Sequence, residues 1–119
     1  MSGHAPPLHL HLLGPPEIHL GEKPLTFPTR KTLALLVYLA LEGGSQPREH
    51  LATLLWPDSS PERSYASLRN TLGHLQTTFS PARDQAQIFY LSITHHTLAL
   101  NPEADIDLDL HTVEQAYTL

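Results

Sequence analysis

Residues 60–79 read SPERSYASLRNTLGHLQTTF, and this stretch predicts one long amphipathic helix. Ser60 is a favourable N-cap residue, Pro61 suits the first helical position, and Glu62 complements the positive end of the helix dipole. At about 100° per residue, the large hydrophobic side chains fall within a narrow arc that we expect to face the core. That arc consists of Leu68, Leu72, Leu75 and Phe79. We expect Ser80-Pro81 to end the helix.

The opposite face of this helix carries small and hydrogen-bonding side chains. It consists of Arg63, Ala66, Ser67, Asn70, Gly73, His74 and Thr77. Arg69 lies at the edge of the face, where it would either reach a phosphate or pair with a surface acid such as Glu62. Such a face is typical either of a solvated helix or of a helix that contacts a polar partner.

Two shorter helices are predicted before the long one. Thr29 is suited to cap the first, whose apolar residues recur at three- and four-residue spacing until Gly43-Gly44 ends it. The second has Pro47 at its first position and ends at Trp56-Pro57. Because Trp56 ends a leucine-rich segment, we expect it to pack in the core rather than to stack on a ligand.

Short strands are predicted at the beginning of the chain. Residues 8–13, LHLHLL, alternate with the period of a half-buried strand before Gly14-Pro15-Pro16 forces a turn. Residues 17–20 and 25–27 are further extended segments. Together they predict a small antiparallel meander.

A β-hairpin is predicted after the long helix. Residues 88–93 and 97–100 are rich in apolar side chains and flank Thr94-His95-His96, a turn that lacks the typical Asn-Gly or Asp-Gly pair. Strands, three helices and a hairpin in this order predict an α+β fold of the winged helix-turn-helix type, with the hairpin as the wing.

Charge is distributed unevenly along the chain. The whole sequence has a formal net charge of -5 at pH 7, which opposes binding to a polyanion. All seven Lys and Arg residues, however, lie within residues 23–83, where four acidic residues leave a formal charge of +3. The chain after Arg83 contains six acidic residues and neither Lys nor Arg. The nine histidines are a further source of positive charge near phosphates.

Composition and motifs exclude several classes of function. The 119 residues contain no cysteine, so disulfides and thiolate metal sites are impossible. The longest apolar run, residues 33–41, is far shorter than the roughly 20 residues that span a bilayer, and we expect a soluble, cytoplasmic protein without membrane contact. No phosphate-binding loop, nucleophile elbow or zinc-protease motif is present, which predicts no enzymatic activity and no cofactor. His9, His11 and His19 lack a carboxylate or Cys at firm ligand spacing, so we predict no metal site.

Four stretches of the chain together resemble one protein family. They are LGPPEI at residues 13–18, RKTLALLVYLAL at 30–41, PREHLATLLWPD at 47–58 and LRNTL at 68–72. In this combination the sequence resembles bacterial transcriptional activators of the Streptomyces antibiotic regulatory protein type, over roughly residues 8–110. The resemblance implies an OmpR-like winged-helix DNA-binding domain with a four-stranded N-terminal sheet, followed by a helical-repeat activator domain.

The resemblance, taken with the residue types, also predicts which side chains meet DNA. The third helix would enter the major groove, where Arg pairs with guanine and Asn with adenine, and helix N-termini would meet phosphates. The predicted contacts are Arg63, Ser67, Arg69, Asn70 and His74 of the third helix, Arg48, Lys31 and Arg30 near helix starts, and His95 and His96 of the wing. Their alternative is an ordinary solvated surface. Two departures from the family weaken the expected phosphate contacts: Leu75-Gln76 replaces a second Leu-Arg pair, and the wing has no Lys or Arg.

The same interpretation predicts domain boundaries and partners. Residues 1–7 are expected to be disordered, residues 8–104 to form the winged-helix domain, and residues 105–119 to begin the segment that leads into an activator domain. The expected partners are double-stranded DNA, RNA polymerase through the longer protein, and a second copy as a dimer or in tandem on repeated sites. The alternative is a winged-helix module that binds protein instead of DNA, which the acidic overall balance favours and the central cations oppose.

Overall fold

The structure, a computed structural model, describes residues 6–79 and 90–109. These residues fall into two units, one of residues 6–26 and 103–109, the other of residues 27–79 and 90–102. In chain order the elements are β1 (Leu8–His11), β2 (Glu17–Leu20), β3 (Lys23–Pro24), α1 (Arg30–Glu42), β4 (Gln46–Pro47), α2 (Arg48–Leu55), α3 (Pro61–Phe79), β5 (Leu91–Ile93), β6 (Thr97–Leu100) and β7 (Ile106–Leu108).

The first unit is a four-stranded sheet in the order β3-β2-β1-β7. β1 pairs antiparallel with β2, and β2 pairs antiparallel with β3, which confirms the predicted meander. The fourth strand comes from the other end of the described chain: β7 pairs parallel with β1, with Leu8 opposite Ile106 and Leu10 opposite Leu108. The sheet therefore extends past residue 104, where the sequence predicted the domain to end.

Side chains alternate across this sheet as the period-2 pattern requires. Leu8 and Leu10 are buried, and His11 on β1 is exposed. The two partners of Leu10 on the neighbouring strands, Ile18 and Leu108, are buried as well, and those of Leu8, which are Leu20 and Ile106, are half-buried. One face of the sheet is therefore apolar, and the alternation read from residues 8–13 is confirmed over β1.

Two predictions for the start of the chain are corrected. β3 lies at Lys23–Pro24 rather than at residues 25–27, because the turn at Gly21, with a φ of 63°, reverses the chain early. The carbonyl oxygen of Pro7 accepts a hydrogen bond from the Gly21 N–H at 2.7 Å, so Pro7 is held by the sheet although it was predicted to be disordered, and residues 1–5 of that predicted segment lie outside the described residues.

Helices α1, α2 and α3 build most of the second unit. Thr29 caps α1 as predicted: its Oγ1 accepts a hydrogen bond from the Thr32 N–H at 3.1 Å and lies 2.8 Å from Thr32 Oγ1. Gly43 ends α1 at a φ of 68°, a left-handed conformation that favours glycine. α2 begins at Arg48, one residue later than predicted, because Pro47 belongs to β4.

A second sheet, in the order β4-β6-β5, belongs to the same unit as the helices. β5 and β6 form the predicted hairpin, with Ile93 opposite Leu98, while residues 88 and 89 of its predicted first strand lie outside the described residues. β4 was not predicted, since two residues are too few to show an alternating pattern. Its Gln46 pairs with Leu98 and adds a third strand beside the hairpin.

The core of the second unit combines leucine-rich stripes of the three helices with the hairpin. Its buried hydrophobic side chains include Leu35, Leu36, Leu39, Leu51, Ala52, Leu55, Leu68, Leu72, Leu75, Phe79, Tyr90, Leu91, Leu98 and Ala99. Phe79 and Tyr90 stack with ring centroids 5.2 Å apart, and burial raises the pKa of Tyr90. Trp56 is only half-buried at the end of α2, so the expectation that it packs in the core holds only in part.

The combination of sheets and helices confirms the predicted α+β class. None of the helices in the described part of the chain has the length and apolar character that crossing a membrane requires. Residues 110–119, which complete the segment predicted to lead into an activator domain, lie outside the described residues.

Candidate functional site

The long helix predicted from residues 60–79 is α3, and it begins as its sequence indicates. Ser60 Oγ accepts a hydrogen bond from the Arg63 N–H at 3.4 Å, and the Ser64 N–H donates to the Ser60 carbonyl oxygen at 2.9 Å. Pro61 occupies the first helical position, where its missing N–H costs nothing. α3 has 19 residues, which corresponds to a length of about 28 Å.

The two faces of α3 differ as predicted. Each of the four hydrophobic residues in the predicted arc is at most 6% exposed, so the arc faces the core. On the opposite face, Arg63, Asn70 and His74 are exposed and Ser67 is half-buried. We call these four residues the open face of α3.

Two polar residues, Ser64 and Thr71, also belong to the buried stripe of α3. They were missed because only large hydrophobic residues were counted in the sequence. Both lie three or four residues from Leu68, and this spacing alone would have placed them on the buried side of the helix. The Ser64 hydroxyl donates to the Pro61 carbonyl oxygen at 3.1 Å, which satisfies this buried group within the helix.

A groove of about 530 Å³ lies beside α3. Its lining comes from β4, α2, α3 and the turn between β5 and β6, and consists of Pro47, Arg48, Glu49, Tyr65, Leu68, Arg69, His95 and His96. Arg69 therefore shares a cavity with Arg48 and the two histidines. Arg69 was predicted either to contact a phosphate or to pair with a surface acid such as Glu62. Among the described residues it makes no ion pair, so the second of these roles is not observed.

The turn between β5 and β6 is closed by threonine side chains. Thr94 Oγ1 accepts hydrogen bonds from the Thr97 N–H at 2.9 Å and the His96 N–H at 3.3 Å, and lies 2.7 Å from Thr97 Oγ1. These contacts replace the Asn-Gly pair of a common tight hairpin. They place His95 and His96 at the exposed tip, with ring centroids 4.8 Å apart.

Arg48 connects the beginning of α2 to this turn. Its backbone N–H donates to the His96 carbonyl oxygen at 2.8 Å, and its Nη2 donates to the Thr94 carbonyl oxygen at 2.8 Å. Its Nε is buried without a hydrogen-bond partner. The sequence predicted a phosphate contact for Arg48, but the structure also gives it an internal role, because it holds the hairpin turn against α2.

Lys31 and Arg30 were predicted as phosphate contacts together, but their surroundings differ. Lys31 Nζ donates to the carbonyl oxygen of Leu55 at the C-terminal end of α2 and lies 5.6 Å from the centroid of the Trp56 ring. The side chain of Arg30 is exposed and makes no hydrogen bond or ion pair with any described residue. Lys31 therefore supports the packing of α2, and Arg30 is the cation more available to a ligand.

Three histidines lie close together on the sheet of the first unit. The ring centroids of His9 and His11 are 6.2 Å apart, and those of His11 and His19 are 5.8 Å apart. His9 Nδ1 lies 3.3 Å from Asp107 Oδ2, which links β1 to β7. Within residues 6–79 and 90–109, no three His, Cys, Asp or Glu side chains are arranged to hold a metal ion.

The predicted contact residues thus separate into two groups in the second unit, apart from Arg30 and Lys31. The open face of α3 contains one group, and the groove brings together the other, Arg48, Arg69, His95 and His96. Glu49 and Tyr65 also line the groove and were not predicted. The position of Tyr65 could have been inferred from the sequence, because it lies four residues before Arg69 and the two side chains therefore share one side of the helix.

A comparison of the sequence with models of known protein families found no match, and a comparison with curated proteins found none either. The case for a function therefore comes from the placement of these side chains.

Proposed function

We propose that this chain is a sequence-specific DNA-binding module of the winged helix-turn-helix type, acting in transcriptional regulation as the DNA-binding part of an activator. In this proposal α3 enters the major groove, and the hairpin of β5 and β6 is the wing. The module carries out no chemical reaction and needs no cofactor. Its partner is double-stranded DNA, and RNA polymerase is reached through the longer protein to which the module belongs.

The observation that carries the proposal is the open face of α3. Leucines on the other side hold the helix to the core, so Arg63, Asn70 and His74 extend from a fixed support into solvent. Arg and Asn side chains are those that most often read guanine and adenine edges in the major groove. A length of about 28 Å is sufficient for the helix to follow several base pairs.

The groove beside α3 supplies side chains suited to the DNA backbone. Arg48 and Arg69 carry permanent positive charge, and the turn with His95 and His96 is held next to them by hydrogen bonds from Arg48. Phosphate contacts of this kind set register and orientation without reading sequence. In this proposal the open face of α3 reads bases, and the residues of the groove bind the DNA backbone.

The number of cations is small, and this has a consequence for affinity. Glu49 lines the same groove as the two arginines, and the wing has no Lys or Arg. We therefore expect modest affinity for a single copy, because binding to the DNA backbone scales with the number of phosphates neutralised. Two copies on repeated sites would raise the effective affinity without any new type of contact.

Fluorescence anisotropy with a labelled duplex tests this proposal. We expect the chain to bind random duplex at low salt and to lose affinity as salt is added. After a preferred site has been selected from random duplexes, Asn70→Ala should weaken binding to that site by about tenfold and change random binding little. Arg48→Ala should weaken both alike, because it disturbs only backbone contacts and the wing.

Two outcomes would count against the proposal. Absence of binding at low salt, or binding that salt does not change, would contradict DNA binding as a function. Equal losses for Asn70→Ala on the selected and random duplexes would remove Asn70 from the base-reading group. Circular dichroism of each variant serves as the control for folding.

A protein-binding module is the second candidate function. It is favoured by the net charge of -5 and by apolar side chains on the surface of the second unit: Leu54 is 45% exposed and Tyr65 is 38% exposed. Its experimental signature would be salt-independent or absent binding to duplex in the anisotropy measurement above.

A further inference from the structure

We infer that DNA binding by this chain is coupled to proton uptake at the wing, where His95 and His96 supply positive charge for a phosphate as the pH falls. This inference rests on the proposed function and names a form of regulation for the same site.

The two histidines occupy the groove in which a phosphate would meet the arginines. His95 and His96 are exposed, and they line the same cavity of about 530 Å³ as Arg48 and Arg69. Their rings meet edge to face, with an interplanar angle of 79°. An anion that enters this groove therefore comes close to the two histidines and the two arginines that line it.

The turn that carries the histidines is held in place before any ligand arrives. Arg48 donates to the carbonyl oxygens of His96 and Thr94, each at 2.8 Å, and the Thr94 hydroxyl accepts from two backbone N–H groups of the turn. In addition, Pro47 of β4 lies opposite Thr97 of β6. Because these contacts fix the turn next to α2, a phosphate-binding arrangement needs little further ordering.

The formal charge of the groove depends strongly on the state of the two imidazoles. Arg48 and Arg69 with Glu49 give a formal charge of +1, and protonation of both histidines raises it to +3. Among the described residues, the other titratable or charged side chains that line this groove are Arg48 and Glu49 from α2 and Tyr65 and Arg69 from α3, while β4 contributes Pro47, which has no charge.

The sign of the pH dependence follows from linkage. Histidine ordinarily gains its proton between pH 5 and 8, and a bound phosphodiester favours the charged imidazole. The complex therefore binds more protons than the free chain, and affinity for DNA rises as the pH falls through this range. A wing with Lys or Arg in place of these histidines would show no such response.

Anisotropy with a labelled random duplex, measured between about pH 6 and about pH 8 at constant low salt, tests the inference. We expect the wild type to bind about tenfold more tightly at the lower pH, and His95→Gln/His96→Gln to lose most of this gain. His11→Gln/His19→Gln removes two imidazoles from the first unit and should keep the wild-type response. Calorimetry in two buffers of different ionisation enthalpy should show uptake of about half a proton per chain near the middle of the range, the amount that a tenfold change over two pH units requires.

The outcomes separate this inference from the proposed function. Absence of duplex binding at every pH would overturn the proposed function, and the inference with it. Binding whose pH dependence survives in His95→Gln/His96→Gln, or disappears in His74→Gln instead, would overturn the inference alone. Absence of proton uptake in calorimetry of the wild type would do the same, and this measurement needs no variant to fold.

Discussion

Substitution of Thr94 by valine tests the turn on which the position of His95 and His96 depends. Valine keeps the β-branched shape of threonine and its preference for extended backbone. It removes the hydroxyl that accepts hydrogen bonds from the Thr97 N–H at 2.9 Å and the His96 N–H at 3.3 Å. Thr94→Ser is the matched control, because it keeps the hydroxyl and removes only a methyl group.

The expected size of the effect follows from exposure and from the lost hydrogen bonds, which are the one with Thr97 Oγ1 at 2.7 Å and the two with backbone N–H groups. Each intramolecular hydrogen bond contributes roughly 0.5–1.5 kcal/mol net, and the bond to the His96 N–H is the longer and weaker of the two with backbone N–H groups. Both Thr94 and His96 are exposed, so water replaces the lost acceptor in part. Thr94→Val should therefore lower the free energy of unfolding by about 1–2 kcal/mol, and Thr94→Ser by less than about 0.5 kcal/mol.

Urea unfolding followed by the fluorescence of Trp56, the single tryptophan, measures this difference. Amide hydrogen exchange gives a local reading, since the N–H groups of Thr97 and His96 should exchange faster in Thr94→Val than in Thr94→Ser. If the two variants unfold at the same urea concentration, and their Thr97 amides exchange at the same rate, the hydroxyl does not hold the turn and the argument is refuted.

Two further predictions concern Lys31 and Tyr90. Lys31→Met should lower the free energy of unfolding by about 1 kcal/mol, since it removes a hydrogen bond to the Leu55 carbonyl oxygen and a cation near the Trp56 ring. It should leave random duplex binding within about twofold, whereas Arg30→Met should weaken binding and leave stability unchanged. Urea unfolding and anisotropy distinguish the two, and equal binding losses would contradict the assignment. Because burial raises the pKa of Tyr90, its contribution to stability is complete below about pH 10 and is lost as the pH rises further. The unfolding free energy should thus fall more steeply above about pH 10 in the wild type than in Tyr90→Phe, and parallel curves would rule this out.

Local signals in the sequence were sufficient for the helices and for the division of α3 into two faces. The caps at Thr29 and Ser60 and the buried arc of α3 are present as predicted. These features depend on residues within about four positions of one another, so the information lies in adjacent sequence. The polar members of the buried stripe, Ser64 and Thr71, were missed only because side-chain type was weighed above position.

Strand pairing between distant segments required the folded chain. The alternation of acids and aliphatic residues near residue 106 is compatible with a strand, but nothing in it identifies β1 as the parallel neighbour. Likewise, Gln46–Pro47 is too short to be recognised, and β4 exists because β6 offers it hydrogen bonds. Backbone pairing has the same chemistry for every sequence, so the partner is selected by packing.

The roles of the Lys and Arg residues are likewise determined partly by local sequence and partly by tertiary structure. The sequence is enough to place positive charge near helix starts and along the open face of α3, since residue type and helical period establish both. It does not distinguish Arg48, which holds the hairpin turn, or Lys31, which caps the end of α2, from Arg30, whose side chain bonds to no described residue. A long side chain binds whichever carbonyl oxygen the fold brings within reach, so its role depends on tertiary contacts and not on its neighbours in the chain.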